Sequence, residues 1–306
     1  MRWDDFRQSE NVEDYRDAGP SGGGGGLGIP GGAGGLGIGT VVVLGLVGWA
    51  LGIDPRLLIG GVEMLQGSGP SHYQETQRQR PRGPAPTDEA GRFIRGVLGE
   101  TEDRWKEIFE KASKRYTAPH LAIFAGRYPS GCGAAVAAMG PFYCPNDRKI
   151  YLDTSFFRDI ETRFRGCQGK ACKFSQAYVI AHEVGHHVQN ELGILPKVQQ
   201  MQQRMDKVEA NQLQVRVELQ ADCFAGVWAN REREKRPDYL EPGDVDAAMQ
   251  TATAIGDDTL QRSAGRAVVP DAFTHGSAEQ RKRWFMNGFT RGTIASCNTF
   301  DASARL

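Results

Sequence analysis

The sequence predicts an α+β fold, mainly helical, with one small sheet near the start of the folded region. Three observations predict it. From Thr154 onward, apolar residues recur at helical spacing over 154–163, 176–190, 198–236, 244–260 and 277–291. Two short runs, Leu121–Phe124 and Lys149–Asp153, read as strands, with a turn signal at Pro145-Asn146-Asp147. The glycine-rich and uncharged stretches all lie in the first part of the chain, outside this pattern.

Taken in order, residues 1–35 read as a polar and then Gly-rich tether. Thirteen of the 39 glycines of this 306-residue chain fall between Gly19 and Gly39. Such a stretch has much backbone entropy to lose and few side chains to offset the loss. Residues 36–53 (LGIGTVVVLGLVGWALGI) form an uncharged run of eighteen, closed by Asp54, Pro55 and Arg56. That length roughly spans a bilayer core as a helix, so one N-terminal transmembrane anchor is expected. Gly48 and Gly52 give it a small-xxx-small pair. A buried core helix is disfavoured by the flanking linkers. A cleaved signal peptide is disfavoured by the long acidic lead and the lack of an A-x-A site. Residues 54–88 are a second, polar linker. The folded domain is expected over 89–300, with 301–306 a tail. It opens with an amphipathic helix carrying Phe93, Ile94, Val97, Leu98 and Trp105, and its last helix begins with the capping-box pattern Ser277-Ala-Glu-Gln280.

Thirty-seven basic residues balance 37 acidic ones. Without a basic excess, nucleic-acid binding is disfavoured as the main function.

Residues 182–186 read His182-Glu183-Val184-Gly185-His186, the HExxH pattern in helical context. Positions i and i+4 share a helix face, so two imidazoles can take neighbouring corners of one Zn²⁺ site. Glu183 sits beside them as a general base for an activated water. His187 points about 100° away from His186 and is expected to be structural. Gly185 is expected to leave room against the metal. A catalytic zinc needs a third protein ligand and an open position. His72, His120 and His275 are the other histidines, but the better third ligand is Glu218 in VELQADCFA. Asp222, four residues on, would then orient a ligand histidine. Glu209 and Glu232 compete less well, because they sit in charged runs that read as exposed.

HEVGHHVQ followed by ELQADCFAGVW closely resembles the bacterial putative neutral zinc metallopeptidases, a gluzincin-like group. The resemblance extends to MRWDDFRQSENVEDYRD, GCGAAVAAMGPFYCPNDRKIYLD and THGSAEQRKRWFMNGF. It implies a zincin-like domain with one zinc ion held by His182, His186 and Glu218, and Glu183 as base. It also implies a single-pass protein of the bacterial inner membrane, with its catalytic domain in the periplasm or outside the cell. Related gluzincin-like membrane peptidases carry a histidine before their last domain helix, which implies that His275 lines the site and stabilises an oxyanion. The competing reading is a loop histidine that satisfies carbonyls. In such folds an edge strand above the active helix pairs with substrate backbone, and Lys149–Asp153 is the expected strand.

The six cysteines are Cys132, Cys144, Cys167, Cys172, Cys223 and Cys297. None has the spacing of a zinc ligand pair. An even count after the apolar run suits disulfides in an oxidising compartment. Pairing Cys132 with Cys144 and Cys167 with Cys172 leaves Cys223 with Cys297, one of the 15 arrangements that six cysteines allow.

Two functions from different classes follow. One is a membrane-anchored zinc endopeptidase acting on a protein or peptide substrate. The other is a non-catalytic, membrane-tethered envelope interaction protein with a structural zinc. Glu183 discriminates, because a structural site gains nothing from an acid beside its first ligand. Metal-dependent hydrolysis of a non-protein substrate is a third possibility.

Overall fold

The structure is a computed structural model that describes residues 1–17 and 83–306. Its elements run β1 (Val12–Asp14), α1 (Glu89–Lys111), β2 (His120–Phe124), β3 (Arg127–Ser130), β4 (Gly133–Val136), β5 (Phe142–Cys144), β6 (Lys149–Asp153) and α2 (Ser155–Thr162). Then follow α3 (Cys172–Glu191), α4 (Ile194–Gln202), α5 (Lys207–Lys235), α6 (Asp244–Ala254), α7 (Asp257–Ser263) and α8 (Ala278–Arg291). The α+β expectation holds.

Four strands form one sheet in the order β1-β2-β6-β5, with β5 antiparallel to its neighbour and the others parallel. Strand alternation gives each face its own cover. Leu121, Ile123, Ile150 and Leu152 point into the main core with α1 and α3. Ala122, Phe124 and Tyr151 point the other way, onto Tyr128 and Ala135 of the β3–β4 hairpin. Lys149–Asp153 is therefore an inner strand, paired on both sides. The edge next to it is β5, so the expectation that Lys149–Asp153 offers a free edge is corrected. Its near-continuous apolar run Ile150-Tyr151-Leu152 already carries the mark of a strand covered on both faces.

The polar composition of residues 1–17 predicts the start of a tether. The structure instead packs them onto the domain. β1 pairs in parallel with β2, Val12 opposite Leu121. The amino group of Met1 meets Asp244 at 2.9 Å and Glu241 at 3.1 Å. Ser9 and Asn11 both donate to Glu102 of α1. Gly99 admits this approach, since a Cβ there would lie 2.1 Å from the Arg7 carbonyl oxygen. Asp14 N–H donates to the Pro84 carbonyl at 3.0 Å, so the chain before and after segment 18–82 meets at these two residues. The expected anchor at 36–53 lies outside the described residues. Among the described residues, no helix is long and apolar enough to cross a membrane.

The helical run 198–236 divides into α4 and α5, because Asp206 and Glu209 form a capping box that starts a new helix. The run 244–260 divides at Gly256 into α6 and α7. The capping box at Ser277 and Gln280 forms as its spacing predicts.

All three expected disulfides are present: Cys132–Cys144, Cys167–Cys172 and Cys223–Cys297. The first ties the β3–β4 turn to β5. The second pins the start of α3, and the third joins α5 to the segment after α8.

Candidate metal centre

Helix α3 carries the HExxH residues and is buried on nearly every side. Four-residue spacing puts His182 and His186 on one face, with ring centroids 4.8 Å apart. Helix α5 crosses α3 at this point and turns Glu218 and Asp222 toward it. Gly185 sets the distance between the helices. A Cβ there would lie 2.8 Å from the Ala221 carbonyl oxygen and 3.0 Å from Ala221 Cα. The space that Gly185 leaves is thus filled by the α5 backbone and not by the metal, as the sequence had led one to expect. This close approach lets a carboxylate on one helix reach imidazoles on the other.

Glu218 Oε2 lies 3.2 Å from His182 Nε2 and 3.3 Å from His186 Nε2. The three ligand atoms all fall within 4.8 Å of one another. Each residue's other polar atom is engaged elsewhere. His182 Nδ1 meets Asp222 Oδ1 at 2.8 Å, His186 Nδ1 meets Gln189 Oε1 at 2.9 Å, and Glu218 Oε1 accepts from Gln214 Nε2 at 2.9 Å. Two imidazole nitrogens and one carboxylate oxygen are left converging on one point. That donor set suits a four-coordinate zinc with one position open. Sulfur does not compete, because all six cysteines are paired.

Asp222 is fully buried, and three side chains make four hydrogen bonds to it. It accepts from His182, from Tyr178 Oη at 2.6 Å, and from Arg281 Nε at 2.8 Å and Nη2 at 3.0 Å. Burial alone would raise its pKa, but Arg281 and His182 reverse this and hold the carboxyl far below the usual range. Burial likewise opposes a charge on His182, yet Asp222 and Glu218 push its pKa up to about 10. In the metal-free chain His182 thus carries a proton that a metal must displace.

Glu183 is only 7 % exposed, and among the described residues its carboxylate has no hydrogen-bond or ion-pair partner. It stands next to His182 in sequence, on the helix that carries both histidines.

His275 lies in the turn before α8. Asp257 holds that turn by accepting from the N–H groups of Thr274, His275 and Gly276 at 2.7, 2.6 and 3.0 Å. The His275 ring reaches Asp257 Oδ1 at 3.4 Å and leaves about half of its side chain exposed. Desolvation opposes charge on this ring, but Glu218 and Asp257 raise its pKa above the ordinary value. Burial would raise Glu218, but His186 first and then His275 hold its carboxyl well below the usual range. His275 therefore sits within electrostatic reach of the ligand cluster.

His187 faces the other way, as expected. It is fully buried, with Nε2 2.6 Å from the Thr117 carbonyl and Nδ1 3.1 Å from Tyr143 Oη. Glu209 is a helix cap. Glu232, expected to be exposed, is fully buried between Arg104 and Arg236. The sequence reading missed Arg281, Tyr178, Gln189 and Gln214. Tyr178, Gln189 and Gln214 each lie three or four residues from a candidate ligand on one helix face, but that spacing alone does not mark a partner.

A family model described as "Putative neutral zinc metallopeptidase" matches residues 1–300. The chain belongs to that family. It is 46% identical over 305 residues to the uncharacterized protein YpfJ of Escherichia coli (strain K12), covering 99% of this chain and 100% of that one. It is 40% identical over 223 residues to the uncharacterized protein Rv2575 of Mycobacterium tuberculosis (strain H37Rv), covering 70% of this chain and 73% of that one. No solved structure matches the chain. The family name implies zinc, and a peptidase family implies protein or peptide substrates.

Proposed function

We propose that this protein is a zinc-dependent endopeptidase, with one zinc held by His182, His186 and Glu218. The observation that carries the reading is Glu183, a mostly buried residue whose carboxylate has no partner among the described residues, on the helix that also carries His182 and His186. A purely structural metal site would gain nothing from a carboxylate left without a partner on the helix of its ligands. Zinc, when bound, supplies Lewis acidity to the scissile carbonyl and lowers the pKa of its water to about 7. Glu183 takes a proton at its carboxylate and delivers it to the leaving amine. His275 donates from its ring to the oxyanion. Asp222 keeps the proton of His182 on Nδ1, so that Nε2 is the ligand atom. The outer strand β5, next to α3, accepts an extended substrate segment by strand addition.

Three disulfides support placement of the domain outside the reducing cytoplasm, as a membrane-associated protein of the cell envelope. The described flanks of the expected anchor at 36–53 bear on this placement. A single crossing would put residues 1–17 and 83–306 on opposite sides, whereas β1 pairs with β2 and Met1 with Asp244. We therefore place both flanks of that segment on the same side of any membrane, in place of the single-pass arrangement.

The test is Glu183→Gln. The variant is expected to retain zinc by elemental analysis and to lose roughly 10²–10⁴-fold in kcat on an unfolded protein substrate. Unchanged cleavage at full zinc content would reject the mechanism.

A further inference from the structure

Gln189 belongs to none of the roles described above, yet it is fully buried and lies three residues beyond His186 on the same helix. Its amide has two chemically different ends, and the surroundings fix which is which. One end lies 2.7 Å from the carbonyl oxygen of Val217. A carbonyl oxygen can only accept, so that end is the Nε2 donor. The other end, Oε1, is then the atom 2.9 Å from His186 Nδ1. An amide oxygen can only accept as well, so Nδ1 carries the hydrogen. An imidazole that binds a metal is neutral with one N–H, so with Nδ1 carrying the hydrogen the ligating atom is Nε2, which faces Glu218 at 3.3 Å.

The amide is also locked in place from behind. Its second N–H reaches Gln220 Oε1 at 3.1 Å, and Gln220 Nε2 donates to the Cys297 carbonyl at 2.9 Å. Cys297 is itself bonded to Cys223 of α5. A continuous path of oriented amides thus runs from the disulfide to the second histidine of the ligand set.

We propose that Gln189 is a positioning residue that selects the metal-binding nitrogen of His186 and fixes its ring plane. The inference rests on the zinc site proposed above. The two ligand histidines are then held by unlike partners: a carboxylate, Asp222, for His182, and a neutral amide for His186. Partners of ligand histidines typically change metal affinity by 10- to 100-fold when removed.

The test measures Zn²⁺ affinity of the full-length chain by competition with a chromophoric chelator, alongside thermal unfolding of the metal-free protein. Three variants separate positioning from mere support. Gln189→Leu removes the acceptor for His186, and its Zn²⁺ affinity should fall roughly 10- to 100-fold. Gln189→Glu keeps an acceptor for His186 but loses both donors, so its melting temperature should drop while its Zn²⁺ affinity stays within about 3-fold of wild type. Gln220→Leu should likewise lose stability and keep affinity. The proposal is overturned if Gln189→Leu binds Zn²⁺ as the wild type does, or if affinity follows melting temperature through the series. Should Gln189→Leu fail to fold, a 10-fold or larger loss of affinity in folded Gln189→Glu overturns it as well. If the wild-type chain itself binds no Zn²⁺, the zinc reading fails instead, which is a distinguishable result.

Discussion

The two faces of α3 hold adjacent histidines with opposite fates. His186 turns one nitrogen toward Glu218 and Gln189 holds the other, so one lone pair stays available to an incoming ion. His187, the next residue, has both nitrogens taken by Thr117 and Tyr143. Burial pushes its pKa down to about 4. The residue type is the same and the exposure is low in both cases. What differs is whether the surrounding groups consume the ring's hydrogen-bonding capacity or leave it pointing at other ligands. By this contrast His186 keeps one nitrogen free for the ligand role proposed for it, and His187 does not.

The largest expected effect comes from breaking the support of the metal face. Arg281→Leu strips Asp222 of its buried counter-ion. Loss of one partner from a buried pair costs about 3–5 kcal/mol, to be read by chemical denaturation of the metal-free chain. A loss below about 1 kcal/mol would mean that Arg281 is not what keeps Asp222 ionised.

The opposite face offers a pH test. An unfolded histidine takes up its proton near pH 6.5, while His187 in the fold resists until about 4. Between these values the unfolded chain binds more protons, so stability rises with pH across the window and is lost on acidification. For His187 alone the loss from pH 7 to pH 4 reaches about 3 kcal/mol. Carboxylates contribute to acid denaturation in the same direction, so the comparison is with His187→Gln. That variant should be less stable at pH 7 and show a shallower decline toward pH 4. Parallel curves would show that His187 does not titrate as its surroundings imply.

The smallest expected effect is a null difference. Asp4 and Asp271 are both exposed, one in the N-terminal segment and the other in the domain. Asp4→Cys and Asp271→Cys should react alike with a membrane-impermeant maleimide on intact cells, because the fold holds their segments together. Labelling of one alone would show that a membrane separates them.

How far the sequence alone reveals all this depends on where each partner comes from. His182, Glu183 and His186 are legible because one helix sets their spacing. Glu218 and Asp222 are legible because a second helix repeats the four-residue step among apolar neighbours. Arg281, Gln189 and Gln214 are not, because their roles arise where separate helices meet or where an ordinary glutamine happens to face a ligand. The strand Val12–Asp14 leaves no propensity signal. It is three residues long, and pairing with β2 makes it a strand. Glu232 misleads for the same reason: its neighbours in sequence are charged, but α1 supplies Arg104 and covers it. The disulfide pairing that spacing suggests is the one the structure contains, although spacing alone leaves other arrangements open.

The most direct measurement is zinc stoichiometry by elemental analysis of the purified chain and of single substitutions on the two faces of α3. One zinc per wild-type chain is predicted, retained in His187→Gln and lost in His186→Ala and Glu218→Ala, each shown to be folded by circular dichroism. Zinc that survives in folded His186→Ala or Glu218→Ala would contradict the assignment of the metal centre.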